Sequence, residues 1–530
     1  MRRIYQILCL ALVCALVLSA CDSGSDFVEN PVLPELSSSP SPSSAIVVPS
    51  GPAKSRVFGL AYTSGASFNP ITGESSLNHD LWPLMYEGLF RLAPDFTAEP
   101  VLCESFIKEG LSYTLTLRSD VSFSDESPLT AADAAYSLNL ARTGSQLYRP
   151  RYQNIAAVTA LSEHTLRIDL SADTGRLEVL LTVPIIKDGS ANMAAPPGTG
   201  PYVFVEDERG GALNMRGDWW QHSALPRERI ELNDTPEADQ YIYAFESGAV
   251  HVAVSDHTAT NPVGFSGDYE EWLVNTSDMY YLMFNTTRTP LDRAAVRKAI
   301  GYAVDRERIV DSVMLRRALP SVIPASPVSP VYDTAFDDTW AYSLQAISED
   351  LAAEGFEDSD GDGVLDFSQG KSQVPLTLDF IVNTENAAKT AAAQIIADDL
   401  RSVGVDVTLR QLKWDTFLSE LQGGNFDLCF AEVRLTADFS LEALVTTGGA
   451  LNYGKFSNAD VDKLHADFLA SGKGSAPVNA YFLYSRLIDE APIVPILFKQ
   501  YAVLTRRGSV GGIVAAQDNI FYSLTDWTLH

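Results

Sequence analysis

Positive charge is what this 530-residue chain has least of: 38 lysines and arginines stand against 68 aspartates and glutamates, a formal net charge of −30. A surface that acidic gains nothing by docking on a polyanion, which argues against nucleic acid as a partner. Cysteine is scarce as well. There are five, and Cys9, Cys14 and Cys21 crowd the first 21 residues. Cys103 and Cys429 remain for the body, both in mostly apolar surroundings, and are expected as two buried thiols rather than a disulfide. The seven histidines are scattered, and no H-E-x-x-H, G-x-S-x-G or G-x-x-x-x-G-K-[ST] string occurs. No enzyme chemistry is legible, and an exported peptidase survives only as a remote alternative. Beyond residue 20 no window supplies the roughly eighteen consecutive apolar residues of a membrane-spanning helix.

What is present begins with the N-terminus. Arg2 and Arg3 precede an apolar run from Ile7 to Leu18, too short to span a bilayer, and Leu18-Ser19-Ala20-Cys21 follows at once. This pattern is that of a lipoprotein signal: residues 1–20 are expected to be removed and Cys21 to carry the lipid. Residues 21–54, rich in serine and proline, cannot bury enough area to offset their ordering entropy and read as a tether. The rest is too long for one hydrophobic core and should form two or more lobes.

Along the body, strands alternate with helices longer than ten residues, which predicts an α/β fold. Tyr280–Phe284 reads as a buried strand. Thr289-Pro290 reads as a helix N-cap followed by a first-turn proline, with Asp292 as a first-turn acid. Val296, Ile300, Ala303 and Val304 then recur at helical spacing. His79–Phe90 reads as one short helix. Thr130 and Asp133 have the spacing of a capping box, and Asn458 that of an N-cap. Gly198 and Gly200 are expected to adopt backbone angles closed to other residues. Asp358, Asp360, Asp362 and Gly363, with Asp366 beyond, have the alternation of a calcium loop, but Gln369 replaces the bidentate glutamate. The stretch is therefore read chiefly as a solvated turn, with calcium as the alternative and no other cofactor.

The string N-T-x-x-x-P-L-x-x-x-x-V-R-x-A-I-x-Y-A-V-D-R-x-x-I, from Asn285 to Ile309, resembles the extracytoplasmic solute-binding proteins of oligopeptide- and dipeptide-type ABC transporters, bacterial solute-binding protein family 5. Other blocks repeat the resemblance in order over nearly all of residues 56–530: S-F-N-P and Y-E-G-L-F near the start, V-S-F-S-D with P-L-T-A-A-D, G-T-G-P-Y, the F-D-L strand and N-Y-G-K-F-S-N. The resemblance implies a two-lobed periplasmic-binding-protein-like fold of type II with an additional small domain. The first lobe would comprise residues 55–90, 191–278 and 497–530, the subdomain 91–190 and the second lobe 279–496. It further implies a non-enzymatic receptor, monomeric and anchored on the outer face of the cytoplasmic membrane. Such a receptor binds a peptide or other small solute and passes it to permease subunits worked by cytoplasmic ATPases. Peptide sensing without import, or a sugar or nickel-chelate ligand, are the alternatives. Asp438 matches the acid that holds a peptide α-ammonium in peptide-binding relatives, and Arg434 or a neighbour stands where those relatives carry an aromatic. Trp82, Tyr86 and Trp414 complete the ligand-binding candidates.

Overall fold

The computed structural model describes residues 57–530 except Gln146 and Asn261. The predicted signal, Cys21 and the tether lie outside the described residues. Among the described residues no helix is long and apolar enough to cross a membrane.

Two long strands organise the molecule, Tyr269–Phe284 and Ile493–Arg506, paired antiparallel. At about 3.4 Å per residue each runs roughly 50 Å, which is long enough to serve two lobes in turn. Their register slips between Asn275 and Met279, and their neighbours change there. On one side of the slip Val252–Ser255 joins the ladder; on the other, Leu428–Arg434 pairs with Asp278–Phe284 and Ala318–Pro320 with Leu497–Lys499. The sheet continues through Thr377–Asn383 to Asp406–Leu412, both parallel to their neighbours. Helix Ala387–Ser402 makes the crossover, buries Ala393, Ile396, Ala397 and Leu400, and stops at Gly404, whose φ of 86° a side chain would oppose. The apolar run of the second strand is continuous because both sheet faces are covered.

The other lobe carries two four-stranded sheets. One is mixed and begins with Gly59–Tyr62; the other is the antiparallel order Cys103–Glu109, Ser112–Leu117, Thr165–Leu170, Ile155–Ala160. Helix Ala131–Gly144 covers the second sheet and opens with the predicted capping box, in which the Thr130 amide donates to Asp133 Oδ2 at 2.9 Å. Asn458 caps Ala459–Ala470 as expected, accepting from the amides of Asp460 and Val461. Cys103 and Cys429 are buried free thiols.

Three local expectations are corrected. The helix after Thr289-Pro290 starts at Ala294, capped by Arg293; the Thr289 hydroxyl instead donates to Asp292 in a preceding turn, so Asp292 is not a first-turn acid. Val296 and Ile300 lie on this helix, whereas Ala303 and Val304 are buried just beyond its end. The stretch His79–Phe90 is not one helix: Ser76–Asp80 and Trp82–Met85 are separate short helices, and Tyr86 is extended. Gly198 and Gly200 are needed for close approach rather than for a positive φ. A Cβ on Gly198 would lie 2.2 Å from the Met85 carbonyl oxygen, and one on Gly200 2.5 Å from the Met85 carbonyl carbon. The G-T-G-P-Y loop thus clamps the Trp82–Tyr86 segment, with the Gly200 amide donating to Met85 O at 3.0 Å.

Candidate functional site

Three cavities share lining residues, and one of them lies at the slip in the two long strands. One, of about 390 Å³, is walled by His79, Trp82, Tyr86, Tyr148, Trp219 and Tyr522 among others. A second, of about 240 Å³, is lined by Asp80, Asp256, Asp278, Lys499, Tyr501 and Asp518. The third, of about 530 Å³, opens between residues 150–155 and the segments 433–440 and 442–451. His79 and Asp518 border the first two, Arg151 the first and third, and Arg434 the second and third.

Three of those shared residues, Arg434, Asp518 and Arg151, form with Asp278 a chain of alternating charge. Asp278 and Arg434 face each other across the ladder, and their side chains meet at 2.8 Å. Arg434 also reaches Asp518 at 3.5 Å, and Asp518 receives Arg151 at 3.1 Å. Burial pushes the Asp518 carboxyl up, but the Arg151 and Arg434 guanidiniums outweigh it and hold it at about 2. Burial likewise opposes the charge of Arg434, and the carboxylates of Asp278 and Asp518 more than restore it. The Arg434 side chain is 44% exposed and those of Asp278 and Asp518 are 16% and 29% exposed, so the chain is partly solvated, and every member has a partner.

A second network lies alongside. Lys499 sits between Asp256 at 3.2 Å and Glu432 at 3.1 Å, and Glu432 also takes Lys389 at 2.6 Å. Both ammonium groups stand near the Tyr280 ring, at 5.8 and 5.9 Å from its centre. Burial lowers the Lys499 pKa less than Glu432 and Asp256 raise it, so it stays charged.

Asp80 differs from all of these. It ends the helix Ser76–Asp80 and lines the 240 Å³ cavity, yet its carboxylate makes no hydrogen bond or ion pair among the described residues. Burial, and then the Asp518 carboxylate, push it up to about 7. Burial lowers the pKa of its neighbour His79, which therefore supplies no countercharge near neutrality.

Trp82 and Tyr86, expected on the cleft wall, are buried and line the 390 Å³ cavity; Trp82 Nε1 has no hydrogen-bond partner. Arg434 lies at the junction of two cavities. Asp438 lines the 530 Å³ cavity and is 4% exposed, but its Oδ1 is taken by the Thr436 hydroxyl at 2.5 Å and the Ser440 amide at 3.3 Å, as in an Asx turn. Its carbonyl accepts from Arg176 Nη2 at 2.8 Å. Trp414 is 53% exposed at the start of Trp414–Gly423 and borders none of these cavities. Carboxylate oxygens of Asp358, Asp360 and Asp362 lie within 4.8 Å of one another on the surface, whereas Asp366 is turned away to bind the amide and hydroxyl of Ser359.

Sequence reasoning missed Asp80, Arg151, Asp278, Lys499 and Asp518. Four of them become site residues only when remote segments converge. Asp80 carried a weak local signal, since it stands two residues before Trp82.

Residues 97–448 match the profile of the bacterial extracellular solute-binding proteins, family 5 Middle. The dipeptide-binding protein DppE of Bacillus subtilis (strain 168) is 24% identical over 490 residues, covering 84% of this chain and 87% of that protein. The oligopeptide-binding protein AppA from Bacillus subtilis, solved in complex with a nonapeptide, superposes with a TM-score of 0.61 at 19% identity, covering 89% of this chain and 98% of that one. NikZ from Campylobacter jejuni, solved in complex with Ni(L-His), gives a TM-score of 0.64 at 19% identity, with 89% and 99% covered.

Proposed function

Because this chain belongs to the bacterial extracellular solute-binding proteins of family 5, we propose that it is the lipid-anchored peptide receptor of an ABC importer. Its fold is the mixed α/β fold of solved periplasmic solute-binding proteins, and its relatives are binding proteins rather than enzymes. In this reading Cys21 carries the lipid on the outer face of the cytoplasmic membrane. The monomer takes an oligopeptide or dipeptide into the cleft, closes on it, and presents it to permease subunits driven by cytoplasmic ATPases. Binding and closure are the whole of its work.

The observation that carries the reading is the composition of the cleft. Fixed charges of both signs line three cavities that share His79, Arg151, Arg434 and Asp518, and one of the three is walled by aromatic side chains. A zwitterion with apolar side chains meets such a surface with complementary charge at its ends and burial between them. The names of the relatives agree, since both a dipeptide-binding protein and an oligopeptide-binding protein align over most of the chain.

Calorimetry with mixed-sequence peptides of two to nine residues, and separately with Ni(L-His), tests the proposal. Saturable binding of a peptide pool supports it. Binding of the nickel chelate alone would make the protein a chelate receptor, and peptide binding in a strain whose peptide uptake does not depend on the protein would make it a sensor.

A further inference from the structure

Resting on the peptide reading, we infer that the 390 Å³ cavity selects a tyrosine side chain of the bound peptide through the hydroxyls of Tyr86 and Tyr148. Four segments bring its walls together. Trp82 and Tyr86 come from the short helix Trp82–Met85 and the extended residue that follows it, and Tyr148 from the residue before the turn Arg149–Tyr152. Trp219 comes from the loop between Gly210–Met215 and Arg229–Asp234, and Phe521 from the C-terminal segment. All five are buried aromatic side chains, so the cavity offers flat apolar surfaces to a planar group.

Two of these walls carry an unused polar tip. Other buried tyrosines in this fold end on a main-chain carbonyl: the hydroxyls of Tyr113, Tyr152 and Tyr202 donate to Thr174 O, Leu180 O and Arg227 O at 2.8, 2.9 and 2.8 Å. Tyr86 and Tyr148 lie as deep, at 3% and 5% exposed, yet neither hydroxyl has a hydrogen-bond partner among the described residues. Nor is either hydroxyl among the partnerless side-chain atoms sealed from solvent, as the Trp82 indole nitrogen is. The little of each residue that stays accessible therefore includes its polar tip, in the cavity that both line.

The charges in the cavity are already engaged. Arg151 has Asp518 at 3.1 Å and Arg91 has Glu99 at 2.8 Å. Glu87 accepts from Trp220 Nε1 at 2.8 Å and Gln221 Nε2 at 3.1 Å, and Asp526 stands exposed at the rim. A charged side chain that enters finds no free countercharge inside. A plain phenyl or aliphatic side chain gains burial but cuts two hydroxyls off from water without replacing it. A phenol does both. Its ring lies against the aromatic walls, and its O–H, one donor with two lone pairs, donates to one tyrosine hydroxyl and accepts from the other. A pocket built to bond a hydroxyl rejects the analogue that lacks it. With the phenol here, the rest of the peptide has room in the two adjoining cavities, which border this one at His79, Asp518 and Arg151.

The test uses two mixed-sequence pentapeptide pools, one with a single tyrosine placed at each position in turn and the other with phenylalanine in its place. Both are offered together to the mature protein, and what is retained is read by mass spectrometry. The wild type is expected to retain the tyrosine pool at least about fivefold better, the low end of what leaving a buried hydroxyl unpaired costs. The double variant Tyr86→Phe with Tyr148→Phe should lose that preference and still retain peptide. Its melting temperature should not fall, because each change deletes a hydroxyl with no protein partner to lose. Tyr113→Phe, which removes a bonded hydroxyl outside the cavity, should lower the melting temperature and keep the preference. Equal retention of the two pools by the wild type, or a preference that survives in the double variant, overturns the assignment while the peptide reading stands. Retention of neither pool by the wild type overturns both.

Discussion

The closure proposed above implies a specific latch, and Arg176 is the residue with which to test it. This arginine is 7% exposed in the segment after Thr165–Leu170, donates to the carbonyl of Asp438 at 2.8 Å, and lies 4.7 Å from the centre of the Phe468 ring. The adjacent Gly175 amide donates to Leu469 O at 2.7 Å, and a Cβ on Gly175 would fall 2.3 Å from Ala470 O. Phe96 meets Phe439 edge to face at 5.3 Å. All these contacts join Phe96 and residues 175–176 to the segment after Leu428–Arg434 and to the end of the helix Ala459–Ala470, and in the two-lobed reading they exist only while the lobes are together. Arg176→Met keeps the stem and removes the charged donor. A hydrogen bond to a charged group contributes about 1.5–3 kcal/mol, so the open form should gain roughly ten- to 150-fold in population relative to the closed form. Where closure is required for binding, affinity falls by up to the same factor. Small-angle scattering should show a larger radius of gyration for unliganded Arg176→Met, and calorimetry a weaker Kd for the same peptide pool. Gly175→Val, which wedges the closest approach, should act in the same direction. Unchanged radius and unchanged Kd in both variants would refute the latch.

Three further outcomes are expected. Burial, only partly offset by Asp438, lowers the pKa of His465 to about 4, and its Nε2 accepts from the Leu441 amide at 3.0 Å. Since the unfolded imidazole titrates near about 6.5, this group's contribution is present above that pH and is lost as pH falls toward about 4, costing up to about 3 kcal/mol. Urea unfolding at about pH 7 and about pH 4.5 should show this loss in the wild type and much less of it in His465→Gln; equal acid sensitivity would contradict the assignment. At the acidic loop the Gly361 and Gly363 amides already bind Asp358, and the Val364 amide binds Asp362, so calcium added after chelation should move Tm by less than about 1 °C. A saturable rise removed by Asp360→Ala would instead establish a calcium site. Cys21→Ser should abolish labelling by a fatty-acid analogue and shift the protein from the membrane to the soluble fraction, and undiminished labelling would exclude Cys21 as the anchor.

Much of the fold was legible because its signals are local. The helix Ala387–Ser402 and the strands on either side follow from apolar spacing with a glycine stop, and the Thr130–Asp133 box and the Asn458 cap require only three residues' separation. Thr289-Pro290 misled for the same reason: Thr-Pro before an amphipathic run has the pattern of a cap, yet the helix begins only at Ala294. His79–Phe90 is too short for periodicity to separate one helix from two short helices and a strand start. The cleft was legible only in part. Trp82, Tyr86 and Arg434 were reached through resemblance, but the chain Asp278–Arg434–Asp518–Arg151 joins four distant segments. No spacing in the sequence announces which acid in so acidic a chain will be left unpaired, and Asp80 became visible only when its neighbours could be matched charge for charge.

The central claim is that the cleft holds a peptide, and the solute carried by the protein from its own cell tests it most directly. Protein released gently from membranes, without denaturant or chelator, should be unfolded and the freed small molecules identified by mass spectrometry. Peptides present at close to one equivalent, and absent from protein first stripped by partial unfolding and refolding, are the predicted result. A sugar or a metal chelate at one equivalent, with no peptide, would contradict it.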